Sequence, residues 1–282
     1  IIPGFSSAHP SQAFIQIFDG ISGDFLYYKF SLNEFQYRKD KFEVVIANNN
    51  YFSIDKIKLD LNNQGQVVQG ELIFKNQMPW PIKLLSPGAM GPFAFLPSME
   101  CSHAVLSFDH EIYGNLTING DDISFNQGRG YIEKDWGRSF PRGYIWMQSN
   151  HFPEQRVSFM ASIARIPYLG RSFTGFLAGF LYRDRLYLFS TYNRAKLKDL
   201  TINKNLISFK LVKKHQVIEI DAIQAKFSQL KSPINGKMTG KVLESLTSTI
   251  NLRFFDSQKK IEFNGVGSFS GMEIMAKEED LQ

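Results

Sequence analysis

The chain has 282 residues, enough for one large all-β domain or for two domains of about 140 residues each. Its 43% hydrophobic and 21% charged residues are typical of a globular protein and exclude a disordered one. The net charge of +5 comes from scattered basic residues, which argues against nucleic-acid binding and leaves a weak attraction to an anionic membrane surface open.

Aromatic residues are the unusual part of the composition, with 26 Phe, 11 Tyr and 3 Trp. Such residues favour strands, fill β cores and line apolar ligand cavities.

The single cysteine, Cys101, excludes an intramolecular disulfide framework and predicts a reducing compartment, so we expect a cytoplasmic location. No signal peptide is apparent, and because the sequence starts at Ile1 without a Met we expect the true N-terminus to precede it. The longest apolar run, 173–182, is too short to span a bilayer.

Hydrophobic and polar residues alternate through most of the first half, which is typical of antiparallel strands with one solvated face. The clearest case is the stretch 56–61, where Ile57, Leu59 and Leu61 are expected to point inward. The runs are separated by turn signals at 19–20, 48–50, 62–65 and 119–122. The predicted strands of this half are 14–18, 25–30, 42–47, 56–61, 67–74, 103–108, 115–118 and 123–125.

Residues 76–102 contain five prolines and therefore cannot form a central strand. They predict a long loop with rigid corners, and two interpretations stay open: a functional lid, or a crossover that closes the end of a barrel. The prolines are Pro79, Pro81, Pro87, Pro92 and Pro97.

The second half repeats the pattern of short strands and turn signals. Such spacing indicates a sandwich or a barrel and not alternating strands and helices. With a boundary near residues 137–142, we predict two domains, 1–139 and 140–282. The predicted strands of the second half are 157–163, 173–182, 186–192, 206–212, 217–222, 246–255, 259–263 and 268–275.

One stretch, residues 130–152, mixes large aromatic and polar side chains more than a structural strand needs. As an extended chain, its first run places Glu133 and Asp135 on one face and Trp136 on the other. Glycine and proline residues at 137–143 then break the run. In the second run, the residues that share a face are Tyr144, Trp146, Gln148 and Asn150, with His151 on the opposite face.

Glu133 and Asp135 are the candidate catalytic acids, since alternate residues of a strand lie about 7 Å apart on one face. In a dry aromatic cavity, burial and mutual repulsion would raise one pKa and keep that carboxyl protonated near neutral pH. The alternative is structural, with both carboxylates paired to Lys134, Arg138 or backbone amides at a barrel rim. The residues alone leave both interpretations open.

Other chemistries find little support. No glycine-rich phosphate loop leads from a strand into a helix, and no Gly-x-Ser-x-Gly elbow supports an acyl-transfer triad. Glu100, Cys101 and His103 are of metal-ligand types, but their spacing matches no strong metal signature, so we predict no metal site. Cys101 is expected to be a buried, inert thiol.

A series of short motifs runs through the chain, at residues 2–4 (IPG), 13–16 (AFIQ), 86–91 (SPGAMG), 99–103 (MECSH), 130–141 (GYIEKDWGRSFP), 146–150 (WMQSN) and 191–193 (TYN). The Glu-Lys-Asp-Trp-Gly block, followed by Trp-x-Gln-x-Asn, is the most specific. Together these motifs resemble the tocopherol cyclase family. The chain departs from that family in one place, because an aromatic Glu-Gly-Trp-Tyr-type block expected near its start is absent.

The resemblance implies an all-β fold of two lipocalin-like antiparallel β-barrels packed side by side. It also implies a cofactor-free conversion of a prenylated quinol into a chromanol within a barrel cavity. An acid, Glu133 or Asp135, would protonate the alkene, and the phenol oxygen would attack the resulting tertiary cation. Candidate substrate-binding residues are the tryptophans as aromatic faces and polar groups from the matching motifs: Trp80, Trp136, Trp146, Glu100, His103, Gln148, Asn150 and His151.

Three functions remain open at this point. The first is a cofactor-free cyclase or isomerase, the second a lipocalin-like carrier with no chemistry, and the third a scaffold with filled barrels. We expect a hydrophobic small-molecule ligand and no nucleic acid, while peripheral membrane contact stays open. Because Trp136 lies opposite the acids, we expect it to be a core ring between the barrels unless a bulge intervenes.

Overall fold

The computed structural model describes residues 1–63, 65–96, 99–168 and 170–281. Within these residues the chain forms antiparallel strands and four short 3₁₀ helices, Leu32–Glu34, Gly91–Phe95, Thr191–Asn193 and Glu278–Asp280. The predicted all-β class is therefore confirmed. Gln64 of a predicted turn, and Pro97 and Ser98 of the proline-rich segment, lie outside the described residues.

The strands alternate with short turns through both halves. Those of the first half are β1 (Ile2–Ser6), β2 (Gln12–Phe18), β3 (Phe25–Phe30), β4 (Phe35–Tyr37), β5 (Glu43–Ile46), β6 (Asn50–Ser53), β7 (Lys56–Asn63), β8 (Gln66–Lys75), β9 (Ile82–Lys83), β10 (Ser86–Pro87), β11 (Cys101–Ile118), β12 (Asp121–Ser124) and β13 (Gly128–Gly137). Those of the second half are β14 (Tyr144–Ser149), β15 (Ser158–Tyr168), β16 (Arg171–Tyr182), β17 (Arg185–Ser190), β18 (Lys196–Asn203), β19 (Leu206–Lys213), β20 (Gln216–Ile223), β21 (Ser228–Ile234), β22 (Lys237–Asp256) and β23 (Ile261–Ile274).

Each half has its own large sheet. In the first half the strand order is β12-β11-β8-β7-β6-β5-β4, with β13 also paired to β11. In the second half it is β17-β16-β15-β14-β23-β22-β20-β19-β18, with β21 also paired to β22. Two smaller sheets, β1-β2-β3 and the β9–β10 hairpin, complete the described part of the chain.

The alternation of side chains builds the core of the first half. On β7, Leu59 and Leu61 are buried, whereas Lys58 and Asp60 are exposed, as the sequence predicts. Each buried leucine stabilises the fold by about 1.5–3 kcal/mol. The leucines belong to a cluster that also includes Ile15 of β2, so the small N-terminal sheet packs on the same core.

Phenylalanines fill the core of the second half. Phe180, Phe209 and Phe254 are at most 2% exposed, and the ring centroids of Phe180 and Phe254 lie 5.1 Å apart. Aromatic pairs at this spacing add about 0.5–1.5 kcal/mol beyond the area they bury. Many phenylalanines of the second half therefore serve to pack its core.

Two long strands were each predicted as two short ones. β11 is continuous over 18 residues, but its pairing with β13 shifts register between Val105 and Ser107 and again between Ser107 and His110. These bulges interrupt the alternation of side chains, which is the signal a sequence provides. β23 is also continuous, and it passes through Gly265 and Gly267, which the sequence predicts to be a break between two strands. Aromatic rings pack on both glycines, since an added Cβ would lie under 3.0 Å from a ring atom.

Several strands escaped prediction because their alternation is mostly polar or interrupted. β6 begins at Asn50, which the sequence assigns to a turn. β18 contains a register shift between Lys198 and Thr201, with Asp199 at φ 52°. β21 has a further shift between Ser232 and Ile234.

The proline-rich segment is not a free loop. Trp80 is 3% exposed, with its ring centroid 6.1 Å from that of Phe108, and the β9–β10 hairpin follows. The 3₁₀ helix Gly91–Phe95 then lies against the second half, where the Tyr192 hydroxyl donates a hydrogen bond to the Ala89 carbonyl at 2.9 Å. The segment therefore crosses from one half to the other.

Candidate active site

A cavity of about 130 Å³ lies between the two halves. This volume is far above the roughly 10–15 Å³ that one water requires. Both halves supply its walls, whereas the family resemblance implied a cavity within a barrel. Its lining is largely apolar and aromatic, with a few carboxyls and one imidazole: Met90, Phe93, Met99, Glu100, Cys101, His103, Glu133, Asp135, Phe140, Pro141, Tyr144, Trp146, Ser162, Ala164, Ile166, Pro167, Gly175, Phe176, Leu177, Tyr192 and Glu273.

The pairing of β11 with β13 assembles an imidazole between two carboxyls. His103 lies directly opposite Asp135, and Glu133 is two residues earlier on the same face of β13. His103 Nδ1 is 2.8 Å from Asp135 Oδ1, and His103 Nε2 is 3.6 Å from Glu133 Oε2. The predicted shared face of the two acids is therefore observed.

Glu133 is held by two aromatic donors. The Tyr131 hydroxyl donates to Glu133 Oε2 at 2.8 Å, and the Trp146 Nε1–H donates to the same oxygen at 3.1 Å. Among the described residues, no hydrogen bond reaches the other oxygen, Oε1. Glu133 thus presents one fixed and one free carboxyl oxygen in a cavity of aromatic walls.

Burial raises the pKa of Glu133 from 4.5 to about 7. The positive charge of His103 and the two hydrogen bonds lower this pKa, while the charge of Asp135 raises it further. Desolvation outweighs the imidazolium because the carboxylate would have little water around it. Near neutral pH the Glu133 carboxyl is therefore partly un-ionised.

The pKa of His103 is also raised, but by neighbouring charges and not by burial. Burial lowers its pKa, but the negative charges of Asp135 and Glu133, together with the Asp135 hydrogen bond, raise it to a net value of about 9. Its Nε2 is buried and has no hydrogen-bond partner among the described residues. The imidazole thus carries a proton near neutral pH, with Nε2 closest to Glu133.

The other half also supplies a carboxyl to the cavity. Glu273, on β23, accepts a hydrogen bond of 2.5 Å from the Tyr144 hydroxyl. Burial raises the pKa of Glu273 well above 4.5, and the charge of Glu244 on the adjacent strand adds to the effect. Sequence reasoning missed Glu273, which lies alone in an apolar strand end. Tyr144 did carry a signal, because it shares its predicted face with Trp146.

The imidazole and two carboxyls lie close enough to consider a cation. One ligand-type atom from each of His103, Glu133 and Asp135 lies within 4.8 Å of the others. However, Asp135 binds Nδ1 whereas Glu133 faces Nε2, and one cation cannot bind both ring nitrogens. A cation at Nε2 would have Glu133 as its only other close ligand in this group, so the arrangement suits a shared proton better.

Five predicted site residues line the cavity: Glu100, His103, Glu133, Asp135 and Trp146. Two tryptophans do not. Trp80 is buried against Phe108 in the packing between the halves. Trp136 is 48% exposed, with the Lys134 ammonium 5.2 Å from its ring. The expected core position of Trp136 is wrong, because β13 continues without a bulge there and its outer face meets solvent.

The polar residues of the second run do not line the cavity. Gln148 and Asn150 are buried, and Asn150 Nδ2 donates to the Gly130 carbonyl at 2.9 Å. This bond ties the second half to β13. His151 is exposed, and its backbone pairs with Ser268. These three predicted site residues therefore do not share the cavity wall with Glu133 and His103.

Cys101 lines the cavity, and burial raises the pKa of its thiol. A high pKa keeps the thiol protonated and poorly nucleophilic, although Cys101 is only partly buried and not fully buried as predicted. Within the described ranges, no helix combines the length and apolar content needed to cross a membrane.

A family model described as tocopherol cyclase-like matches residues 63–274. No curated protein sequence matches the chain. One similar solved structure is that of CghA with Sch210972, at 8% identity and a TM-score of 0.57, covering 96% of this chain and 81% of that chain. Another is a Nitrosomonas europaea protein provisionally described as AttH, at 10% identity and a TM-score of 0.46, covering 96% and 90%.

Proposed function

Because this chain belongs to the tocopherol cyclase-like family, we propose that it binds a lipophilic, prenylated aromatic compound between its halves and closes a chromanol-type ring without a cofactor. One observation carries the proposal. Glu133 has a pKa raised to about 7 and a free oxygen in a cavity with aromatic walls. A carboxyl that is un-ionised near neutral pH is the acid that such a ring closure needs.

The reaction is an isomerisation, so atoms and charge balance within the site. The Glu133 proton adds to the alkene of the prenyl tail and leaves a tertiary cation. The phenol oxygen bonds to that cation, and its proton returns to the Glu133 carboxylate. The faces of Trp146 and Phe176 would stabilise the cation, while the apolar walls keep out water that would trap it.

Two other pairs of residues would assist the reaction. His103, whose positive charge is stabilised by Asp135, lies beside Glu133 Oε2 and favours loss of the Glu133 proton in the step that generates the cation. Glu273 and Tyr144 supply hydrogen bonds for the quinol hydroxyls from the opposite half. That CghA was solved with the compound Sch210972 supports ligand binding by this fold.

We also propose that each half, 1–139 and 140–282, closes into a lipocalin-like barrel. In the second half, the Lys213 ammonium on β19 donates to the Leu188 carbonyl on β17 at 2.8 Å, although these strands lie near opposite ends of the sheet. Such a contact supports curling of the sheet. An experimental structure with β17 and β19 far apart would contradict closure.

The experiment is incubation of the purified protein with a panel of prenylated hydroquinones, followed by mass spectrometry and chromatography. We expect a product of unchanged mass and new retention, formed equally after treatment with EDTA. Glu133→Gln, which keeps the shape and cannot supply the proton, should bind substrate without forming product. Binding with no product by the wild-type protein would identify a carrier and contradict the cyclase proposal.

A further inference from the structure

The β9–β10 hairpin has an unusual tip. Its two-residue turn is Leu84-Leu85, and these side chains are 91% and 75% exposed, with Ile82 beside them at 78%. Turns of this length are normally built from Asn, Asp or Gly, which have local reasons to be there. Neither leucine has a positive φ, so the backbone of this turn gives no reason for leucine at these positions. Turn chemistry therefore does not account for three exposed aliphatic residues at one protruding point.

Basic residues lie beside this tip. Lys83 is exposed within the hairpin, between Ile82 and Leu84. Lys213 is the last residue of β19, and the exposed Lys214 follows it in the turn to β20. Burial lowers the pKa of Lys213, and the charges of Lys214 and Lys83 lower it further. Such an effect requires the ammonium groups to be near one another. The apolar tip is thus accompanied by a local concentration of positive charge.

The hairpin leads directly into the cavity wall. Met90 and Phe93, which line the cavity, follow β10 within six residues. The stretch between is fixed to the second half by Tyr192, whose hydroxyl bonds Ala89 and whose ring packs on Gly91. The exposed tip and the wall of the cavity are therefore two ends of one anchored segment.

We infer that the Leu84-Leu85 tip inserts into the interface of an anionic lipid bilayer, with Lys83 and Lys214 against the headgroup phosphates. A narrow apolar protrusion flanked by lysines suits a bilayer interface, where aliphatic side chains enter the acyl boundary and ammonium groups stay at the surface. A stable protein interface would bury about 1,000 Å² or more, which such a tip cannot supply alone. Insertion of the tip into a bilayer does not depend on the proposed ring closure. Passage of an apolar ligand from the bilayer to the cavity does rest on the proposed function.

The test is flotation of the full chain with vesicles of phosphatidylcholine, alone or mixed with phosphatidylglycerol. We expect wild-type protein to float with the mixed vesicles at low salt, and less so as salt screens the lysines. The double variant Leu84→Ser/Leu85→Asn keeps residues that turns accept and should partition at least about tenfold more weakly. Ile21→Ser, at another turn where Ile21 is 81% exposed, should float like wild type. Unchanged melting temperatures confirm that both variants are folded.

Charge is tested separately with Lys83→Gln/Lys214→Gln. This variant should lose most of the difference between mixed and neutral vesicles. Failure of the wild-type protein to float with mixed vesicles, or equal flotation of Leu84→Ser/Leu85→Asn, would overturn the inference. So would light scattering that shows a wild-type dimer and a monomeric tip variant without flotation, since the tip would then join two copies. None of these outcomes depends on whether ring closure occurs.

Discussion

Glu133 differs from a surface glutamate because its charge would have few water molecules around it. The rise of its pKa from 4.5 to about 7 corresponds to about 3 kcal/mol against ionisation. The nearby imidazolium of His103 opposes that cost but does not cancel it. The proton that Glu133 keeps is therefore a property of the cavity, and the cavity exists only where both halves meet.

The first prediction concerns removal of the acidic proton of Glu133. Glu133→Gln should reduce ring closure by about 10²–10⁴-fold, since this is the usual contribution of a positioned general acid. Ligand affinity should change little, because the amide keeps the volume and an oxygen that can accept hydrogen bonds from Tyr131 and Trp146. The measurement is kcat together with Kd from fluorescence titration. Full activity of Glu133→Gln would remove Glu133 from the acid role.

Catalysis should also depend on pH. Because Glu133 must be protonated, we expect kcat/KM to be highest below pH 7 and to fall tenfold per pH unit well above about pH 7. His103→Gln removes a positive charge that lowers the Glu133 pKa, so the descending limb should move to higher pH. A profile that rises through pH 7 would indicate a base and contradict the proposal.

Stability should fall as pH rises through the titration of His103. The folded-state pKa of His103 is raised from 6.5 to about 9, so its contribution is complete below pH 6.5 and is lost as pH rises through about 9. The loss in the free energy of unfolding should be at most about 3 kcal/mol. Urea unfolding across this range measures it. His103→Gln should lose most of this slope, whereas an unchanged slope would show that other groups cause it.

At the scale of elements, the segment with Gly91 determines the cavity wall. Gly91 has φ +56°, and an added Cβ would lie 2.5 Å from the Tyr192 ring, whereas Gly88, at φ +92°, has open space around it. Both Gly91→Ala and Gly88→Ala should cost about 1–2 kcal/mol of stability from the left-handed backbone. Only Gly91→Ala should also weaken ligand binding, by displacing Tyr192. Equal Kd values for the two variants would contradict this role of the segment.

Alternation predicted the elements where it is regular and failed where it is broken. β7, with Leu59 and Leu61 inward, agrees with the sequence, whereas β11 was divided because two bulges shift its register. The site residues were likewise predicted only where one regular strand carries them. The shared face of Glu133 and Asp135 follows from β13 alone, but Glu273 joins the cavity only through the packing of the halves. No local pattern encodes that packing, so a single sequence could not predict it.

At the scale of the whole molecule, a buried polar group joins the halves. Asp109, whose side chain is 4% exposed, forms an ion pair with Arg129 of the neighbouring strand. Asn150 of the second half donates to Asp109 Oδ1 at 3.4 Å and to the Gly130 carbonyl. A charge at this depth is tolerated because each partner neutralises or hydrogen-bonds the other.

Removal of one partner should therefore be costly. Asp109→Ala leaves Arg129 without its buried partner, and we expect a loss of about 3–5 kcal/mol in the free energy of unfolding. The control is Asp40→Ala, since Asp40 pairs with Arg38 on the surface and its loss should have no measurable effect. Urea unfolding measures both. Equal stability of the two variants would show that the buried pair contributes no more to stability than the surface pair.

The central claim is that Glu133 keeps its proton near neutral pH. It is tested most directly by infrared difference spectroscopy of the protonated carboxyl band, comparing wild type with Glu133→Gln across a pH titration. We expect a band that is absent from the variant and that disappears in the wild type with a midpoint near pH 7. A midpoint near 4.5, the ordinary value for a glutamate, would contradict the account.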